Sequence, residues 1–383
     1  MIPSMRRAKR PRPLGDLPRN WADLGDGPAG LIAELALAND VADYVRFRAV
    51  CRPWRRCSPD PCAGGLNYRF LPRRWIMIDK AVAGPRRHRF LNVSTGERIH
   101  MDILEFAQHK LLALTPEGLL LLLHEPTLAA RLLNPLTRQL TDLPPATALF
   151  TPQQHRHRAL GFKTELDVTG VGLFVAAATA DASTVSVAIS FCRPRVIAVA
   201  KPGDESWTVV EYDEHIDSAL PFAGRFYCAT WKGVMVLDMG SDEQPPRLQM
   251  VADRREAFFF VHMSESLHLV DNGGELMLVH RRMRRNHYVE FHRQYDAYKV
   301  DLEAGALVRA KGFNGRAVFI GMHRAISVSA QATFLSVKAD TVYKCGVRTE
   351  AYNIADGSRC GRITDAEVNF LAHCIQGVGK QLA

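Results

Sequence analysis

Three glycines near the start of the chain have the spacing of a dinucleotide-binding loop. Gly25, Gly27 and Gly30 lie in the stretch WADLGDGPAGLIAEL, where they form the pattern GxGxxG and lead into an apolar segment. In a dinucleotide-binding fold this loop follows a buried strand, opens a helix that holds the pyrophosphate, and leads to a second strand that ends in an acidic residue. The chemistry would be hydride transfer by a nicotinamide-dependent oxidoreductase.

The residues around these glycines argue against that chemistry. The preceding segment, residues 21–24, is too short and too polar to be a buried strand, and the next predicted element is another helix. Asp43 stands at about the right distance but falls inside that helix. The carboxylate of Asp26 would oppose a pyrophosphate. We therefore predict no dinucleotide site and no cofactor.

Other reactive side chains do not assemble into a catalytic pattern. The motifs GxSxG, GxxxxGK[ST] and HExxH do not occur. His155 and His157 lie in what reads as a polar loop. His287 and His292 are five residues apart on a predicted strand, which places them on opposite faces. We expect surface or structural histidines and a non-catalytic protein.

Eight cysteines are scattered along the chain without CxxC pairs. Cys51, Cys57 and Cys62 lack the paired spacing and the fourth ligand of a zinc site. Cys51 is interpreted as a small buried side chain. Because no secretory signal precedes them, we expect reduced thiols in a protein of the nucleus, the cytoplasm or both.

The longest apolar run, Val171 to Ala180, is too short to span a bilayer, so we expect no membrane segment.

The net charge of +9 is concentrated in two basic clusters. The first resembles a nuclear localisation signal, although a solvated, disordered basic tail over residues 1–19 remains the alternative. Its residues are Arg6, Arg7, Lys9, Arg10 and Arg12. The second, Arg281–Arg285, is predicted at a loop tip. The segment 281–293 would favour an acidic partner, but no interleaved aromatic residues support binding to nucleic acid.

Residues 20–58 are predicted to be helical. Asp26 or Gly27 is expected to cap a first helix with Pro28 in its first turn, and Asn39 or Asp40 to start a second. In the second helix, Phe47, Val50, Cys51 and Trp54 would form one apolar stripe, ended near Pro53 or followed there by a short third helix. Residues 59–65 read as a linker.

From residue 66 the pattern changes to short apolar runs separated by turn residues, which indicates strands. The clearest hairpin is LHLV-DNGG-ELMLV, where Asn272 and Gly273 are expected to take positive φ values. Short helical pieces are expected only near 103–113 and 365–375. A turn with Asn at its start recurs at Asn92, Asn134 and Asn353.

Such a recurrent turn over about 300 residues of strands favours a β-propeller of six or seven blades, at about 40–50 residues a blade. We place the propeller at residues 66–370, before a C-terminal tail at 371–383. A pair of β-sandwiches is the structural alternative. The predicted fold is mainly β, with a small all-α domain in front of the propeller.

The ending VRFRAVCRPWRR resembles the F-box, whose pattern closes on Val-Cys-Arg-x-Trp-Arg. Val50, Cys51, Arg52, Trp54 and Arg55 match that ending. In place of the usual adjacent Leu-Pro, the segment Leu24-Gly25-Asp26-Gly27-Pro28 separates the leucine from the proline. The rest of the chain resembles plant F-box proteins with a DUF295/KIB-type β-propeller, through stretches such as FLNVSTGERI, LLNPLTRQLTDLP and LVDNGGELMLV.

This resemblance implies the target-binding subunit of an SCF-type cullin–RING ubiquitin ligase. The F-box would bind a Skp-type adaptor and through it a cullin, and the propeller would bind an unknown target protein. A propeller interaction or scaffold protein with a divergent F-box is the alternative. The residues expected to bind the adaptor or to form the F-box core are Leu24, Pro28, Leu31, Ile32, Leu35, Val50, Cys51 and Trp54.

Overall fold

The computed structural model of the chain is mainly β. It describes residues 21–78, 87–161, 166–175, 185–240, 244–253, 265–285, 291–321, 324–332, 337–344 and 349–360. The chain divides into two compact units, Met1–Ala63 and Gly64–Ala383. None of the helices in the described segments has the length and apolar character needed to cross a bilayer. The basic cluster Arg6–Arg12, the predicted helix at 365–375 and the C-terminal tail lie outside the described residues.

The first unit consists of short helices. A 3-10 helix at Trp21–Asp23 precedes α1 (Asp26–Asn39), α2 (Val41–Val50) and α3 (Arg52–Arg56). The cap of α2 is as predicted, since the Asp40 carboxylate accepts the Ala42 N–H at 2.7 Å. The prediction for α1 is wrong by one residue. Gly25 is the N-cap, with φ of 81°, and Asp26 is already helical.

Small and aromatic side chains form the core of the helical unit. The buried residues of α1 are Ala29 and Ala33, and α2 buries Tyr44 and Phe47. The Tyr44 hydroxyl donates to the Pro59 carbonyl at 2.6 Å, which ties α2 to the segment after α3. Because alanines face the core, α1 packs closely and contributes little apolar area from its own longer side chains.

The predicted apolar stripe of α2 is interrupted at Cys51. Its backbone is extended, with φ of −156° and ψ of 167°, so α2 ends at Val50 and α3 begins on the far side. Pro53 lies in the first turn of α3, where its missing N–H has no helical partner to lose. The sequence predicts a buried Cys51, and this prediction is wrong because the residue is only half-buried. Phe47 and Trp54 still meet, with ring centroids 4.6 Å apart.

The second unit is built from 24 strands in the described residues. The first three sheets contain β1 (Trp75–Ile78), β2 (Arg87–Asn92), β3 (Arg98–Asp102); β4 (His109–Leu114), β5 (Leu120–His124), β6 (Ala129–Leu133), β7 (Leu140–Pro145); β8 (Asp167–Val175), β9 (Val185–Arg193), β10 (Arg195–Ala200) and β11 (Thr208–Glu211). Between β7 and β8 lies α4 (Pro152–Ala159), and 3-10 helices occur at Tyr68–Phe70, Leu104–Ala107 and Ala146–Leu149.

The remaining strands form three further groups. They are β12 (Ile216–Phe222), β13 (Arg225–Thr230), β14 (Gly233–Asp238), β15 (Arg247–Asp253); β16 (Ser266–Asp271), β17 (Leu276–Arg285), β18 (Phe291–Asp301), β19 (Ala306–Ala310); β20 (Arg316–Ile320), β21 (Ala325–Ser329), β22 (Thr341–Lys344), β23 (Glu350–Asn353) and β24 (Arg359–Cys360). The fourth and fifth groups are joined through a single parallel pair, Asp253 with Ala306. In the sixth, β20 pairs parallel with β22 and antiparallel with β21.

The strand groups follow one another around a centre. The strands β4, β8 and β12 open successive groups and contact one another in order, and the contacts continue to β16 and β21. Two glycines allow β8 to approach β12. A Cβ on Gly170 would lie 2.2 Å from the Ala219 carbonyl oxygen, and one on Gly172 would lie 2.1 Å from Cγ of Pro221. This sequential arrangement is a β-propeller and excludes the β-sandwich alternative.

The last group of strands packs against the first. One core cluster contains Ile76 of β1 and Leu91 of β2 together with Phe319 of β20 and Tyr343 of β22. The rings of Phe319 and Tyr343 stack with centroids 4.8 Å apart. Apolar contact between the two ends of the strand sequence therefore closes the ring.

The recurrent asparagine turn has the same geometry at all three positions. The Asn134 side-chain oxygen accepts the N–H groups of Leu136 at 3.1 Å and Thr137 at 3.2 Å. The Asn92 side-chain oxygen accepts the corresponding N–H groups at 2.9 and 3.2 Å. The Asn353 side-chain oxygen accepts them at 2.8 and 3.2 Å. Asp301 forms the same pair of bonds, at 3.1 and 2.8 Å. Each turn joins the last two strands of its group, so it is a repeated element of the blades.

Four local predictions for the propeller are wrong. The segment 103–113, expected to contain a short helical piece, has only a 3-10 helix at Leu104–Ala107 and continues as strand β4. In the DNGG hairpin, Gly273 and Gly274 take the positive φ values, 72° and 96°, and Asn272 does not. The basic run 281–285 belongs to strand β17 and is not a loop tip. The segment around His155 and His157 is helix α4 and not a loop. The apolar run AFFFVHM, residues 257–263, also indicates a strand by its sequence but lies outside the described residues.

Candidate functional site

Helix α1 presents leucine and isoleucine side chains to solvent. Leu31 is 69% exposed, Leu35 is 71% exposed and Ile32 is 38% exposed. The spacing of three and four residues puts Leu35 on the same helix face as the other two. Since Ala29 and Ala33 fill the core side, these three side chains contribute little to the core of the unit. We call this surface, Leu31, Ile32 and Leu35, the α1 apolar face.

The other predicted residues of the helical unit divide by burial. Val50, at the end of α2, is 63% exposed, and Pro28 is exposed as well. Leu24, Cys51 and Trp54 are half-buried. The Trp54 indole N–H donates to the Trp21 carbonyl at 3.0 Å, which joins α3 to the 3-10 helix. None of the eight predicted residues is fully buried, and the core is formed by others.

Arg48 holds the end of the helical unit together. Its guanidinium donates to the carbonyl oxygens of Arg55 at 3.0 Å, Ser58 at 2.5 Å and Pro59 at 2.8 Å. It also lies 3.6 Å from the Asp60 carboxylate. A single side chain thus bonds a carbonyl group of the last turn of α3 and two in the segment that follows it. This arrangement fixes α3 and the segment after it against α2.

A buried carboxylate lies in the fourth strand group of the propeller. Asp217 stands at a β-bulge in β12, and its side chain is 9% exposed. Burial raises its pKa to about 7, although the charge of Arg281 and the N–H of Leu267 act in the opposite direction. One oxygen, Oδ2, has no hydrogen-bond partner among the described residues. Sequence patterns did not single out Asp217, because its environment is created by packing between β12, β16 and β17.

A second buried carboxylate, Glu117, lies in the turn between β4 and β5. Its Oε1 accepts the Leu173 N–H of β8 at 3.1 Å, which links two successive strand groups. Burial raises its pKa. The guanidinium of Arg324, in the turn before β21, is also removed from water, which lowers its pKa to about 10 against the attraction of Glu117. This pair contributes a polar element to the interior of the propeller.

Among the described residues, no group of three or more His, Cys, Asp or Glu side chains is arranged to hold a metal ion. The cysteines that the structure describes with their side chains are free thiols, and Cys228 is buried. Arg282, from the predicted acidic-partner surface, donates to Asp296 at 3.1 Å, and Arg309 donates to the same carboxylate at 2.8 Å. That part of the basic run therefore has an internal partner already.

The pattern of strand groups and asparagine turns agrees with a sequence comparison. The model of the KIB1-4 beta-propeller family matches residues 90–361, more than half of the chain. The chain belongs to this family. The KIB1-4 propeller therefore accounts for the strands from β2 onward, and the helical unit lies outside the matched residues.

Solved structures share only a distant likeness with this KIB1-4 protein. A protein of unknown function from Bacteroides caccae is 10% identical, with 66% of this chain and 98% of that chain covered and a TM-score of 0.28. An exo-beta-1,3-galactanase from Phanerochaete chrysosporium is 8% identical, with 73% and 71% covered and a TM-score of 0.32. AztD from Citrobacter koseri is 9% identical, with 76% and 94% covered and a TM-score of 0.25. We draw no conclusion from values this low. A comparison with curated proteins finds no match.

Proposed function

We propose that this protein is the target-binding subunit of an SCF-type cullin–RING E3 ubiquitin ligase. The helical unit acts as an F-box that binds a Skp-type adaptor, and through it a cullin, while the KIB1-4 propeller binds the target protein. The subunit performs no bond chemistry of its own. It accelerates ubiquitin transfer by raising the effective concentration of target lysines near the charged conjugating enzyme.

The observation that carries this proposal is the α1 apolar face. Leu31 and Leu35 are more than two-thirds exposed in a small unit whose core is complete without them. Leaving large apolar side chains in water forgoes about 1.5–3 kcal/mol each, which a docked partner recovers. Membership of the KIB1-4 family is compatible with a target-recognition role for the other unit.

The test replaces Leu31 and Leu35 together by aspartate. Two buried charges in an apolar interface abolish binding, so we expect co-purification of the Skp-type adaptor to fall by at least about 30-fold. The matched control carries Leu104→Asp and Leu302→Asp, two exposed leucines of the propeller at 62% and 39% exposure. The control keeps adaptor binding. Equal binding by both double variants would refute the assignment of the α1 apolar face.

A non-ligase interaction or scaffold protein is the second candidate. It is favoured by the departure from the usual Leu-Pro, because Gly25 caps α1 with positive φ and without any side-chain hydrogen bond. This candidate predicts that the wild-type protein captures no Skp-type adaptor and does not change the half-life of any target. Capture with a cullin-neddylation inhibitor present distinguishes the two candidates in one measurement.

We further propose that the protein acts in the nucleus, the cytoplasm or both. The support is the basic run that includes Lys9, Arg10 and Arg12. Glutamine at these three positions should move a fluorescent fusion out of the nucleus. An unchanged nuclear fraction would count against a working signal.

A further inference from the structure

Helix α4 contributes no side chain to the core of the propeller. It spans Pro152–Ala159 between β7 and β8, and none of its residues is buried. Residues 155–161 are all exposed. A short helix without a buried side chain gains little from packing and is marginal by itself in water.

The start of α4 is nevertheless built with a complete capping box. The Thr151 hydroxyl accepts the Gln154 N–H at 3.2 Å, and the Gln154 side chain accepts the Thr151 N–H at 2.9 Å. Pro152 occupies the first turn, where its fixed φ suits a helix. Local interactions therefore hold this exposed segment in a helical conformation.

Helix α4 contacts the propeller through one aromatic ring. Phe150 is buried, the His155 ring meets it edge-on at 5.7 Å, and the Arg158 guanidinium lies 5.7 Å from its centroid. Positions 155 and 158 share a helix face, so this face is the attached one. Arg158 nevertheless remains exposed to solvent, and Arg156 lies on the side of the helix away from Phe150.

The exposed side chains of α4 include two arginines, Arg156 and Arg158. Among the described residues, Arg156 and Arg158 take part in no ion pair. Leu160, directly after the helix, is 72% exposed and adds an apolar contact at the same place. Positive charge beside an exposed leucine complements a segment that carries carboxylates and an apolar side chain.

We propose that α4 with Leu160 is a docking element for an acidic peptide segment. If the acidic segment belongs to the target protein, this inference rests on the proposed function; the binding of an acidic peptide by itself does not. The helix is about 12 Å long, so an extended segment of about four residues spans it. The same arginines stabilise α4 through the helix dipole, so binding and folding must be measured separately.

The experiment measures binding of a labelled peptide of alternating glutamate and leucine to the full chain by fluorescence anisotropy at physiological ionic strength. The variant Arg156→Gln/Arg158→Gln should bind about 3- to 10-fold more weakly, as expected for two exposed ion pairs. The matched control, Arg225→Gln/Lys311→Gln, removes the same charge from two other exposed positions and should bind within about twofold of wild type. Thermal denaturation of each variant shows that the propeller is folded, and hydrogen exchange at residues 152–159 shows whether α4 is retained.

Three outcomes overturn the inference. One is equal loss of affinity in both double variants, which indicates attraction to net charge alone. Another is unchanged affinity in the α4 variant. The third is tighter binding of a single-stranded DNA of matched charge that the α4 variant abolishes, which assigns α4 to nucleic acid. Because the peptide assay contains no adaptor, a failure here leaves the ligase proposal standing, and loss of adaptor capture leaves this one standing.

Discussion

Asp217 illustrates how a single residue responds to the packing of neighbouring strand groups. Its carboxyl is enclosed by β12 and by Leu267 of β16 and Arg281 of β17, while His215 lies 3.9 Å away at the surface. Burial disfavours the charged form more strongly than Arg281 favours it. The folded protein consequently prefers a neutral Asp217 at mildly acidic pH.

We predict that ionisation of Asp217 lowers the free energy of unfolding of the wild-type protein as the pH rises from 5 to 8. The pKa of Asp217 is raised from 3.8 to about 7 on folding. Between these values the folded state binds more protons than the unfolded state, so the stabilisation is complete below pH 4 and is lost as the pH passes 7. The upper limit of the effect is about 4 kcal/mol. Urea denaturation at several pH values measures it.

The variant Asp217→Asn removes the ionisable group and keeps an oxygen for the Leu267 N–H. Its stability should fall less than that of wild type between pH 5 and 8. Asp213→Asn, at an exposed position in the same connection, should keep the wild-type dependence. A pH dependence in Asp217→Asn as steep as in wild type would show that another group is responsible.

The asparagine turn shows at the scale of an element how burial changes the importance of one hydrogen-bonding pattern. Asn134 is 2% exposed, and its Nδ2 also donates to the Phe70 carbonyl at 2.8 Å. Asn353 forms the same turn, but the N–H groups that it accepts belong to the exposed residues Ala355 and Asp356. Water can replace a lost acceptor at the second site and not at the first.

Asn134→Ala should therefore destabilise the propeller by about 2–3 kcal/mol, and Asn353→Ala by about 1 kcal/mol or less. The two changes remove the same atoms from the same kind of turn, so each serves as the control for the other. Chemical denaturation of the two variants gives the difference. Equal losses would mean that burial does not set the strength of the turn.

Because β8 and β12 approach closely, adding a single methyl group at Gly170 should strongly destabilise the propeller. In Gly170→Ala the new Cβ would lie 2.2 Å from a backbone oxygen of Ala219, which cannot move aside as a side-chain end could. We expect a loss of at least about 3 kcal/mol, or failure to fold. Gly27→Ala in α1, where no atom lies within 4 Å, is the matched control and should not destabilise. Soluble yield and thermal denaturation report both.

Several of these elements are readable from sequence and others are not. Alternation and turn residues predict the strands and the asparagine turns, because those signals act within a few residues. Helix α4 was missed although Thr151-Pro152-Gln153-Gln154 carries a capping-box signal, since the basic residues that follow lack an apolar face. The roles of Gly170 and Asp217 depend on contacts between strand groups, which a local pattern does not contain. The exposure of Leu31 and Leu35 likewise depends on which residues of α1 face α2.

At the scale of the whole molecule, the ring is closed by side chains from opposite ends of the strand sequence. Phe319 is fully buried between Tyr343 of its own group and the Ile76 and Leu91 side chains of the first group. These contacts join the last strand group to the first, so we expect the stability of the propeller to depend on them.

Phe319→Ala should destabilise the propeller by about 3–5 kcal/mol, because it opens a large cavity at the closure. Phe222→Ala, at a partly buried position of the fourth group, is the control and should have a smaller effect. Hydrogen exchange after the change should rise in β1 and β2 as well as in β20. Loss confined to β20 and β21 would contradict the role of Phe319 in closure.

The closure between Ile76 and Phe319 also sets an order of events during synthesis. A ribosome adds about 5–20 residues a second, so roughly 10–50 seconds separate the emergence of Leu91 from that of Phe319. Throughout this interval the first strands have an apolar surface that the nascent chain cannot cover. The asparagine turns can close each outer hairpin as it emerges. The apolar side chains of the first strand group, however, are covered only after the last strand group has been synthesised. Chaperone demand should therefore fall on the N-terminal strands of the propeller and end only after Phe319 has emerged.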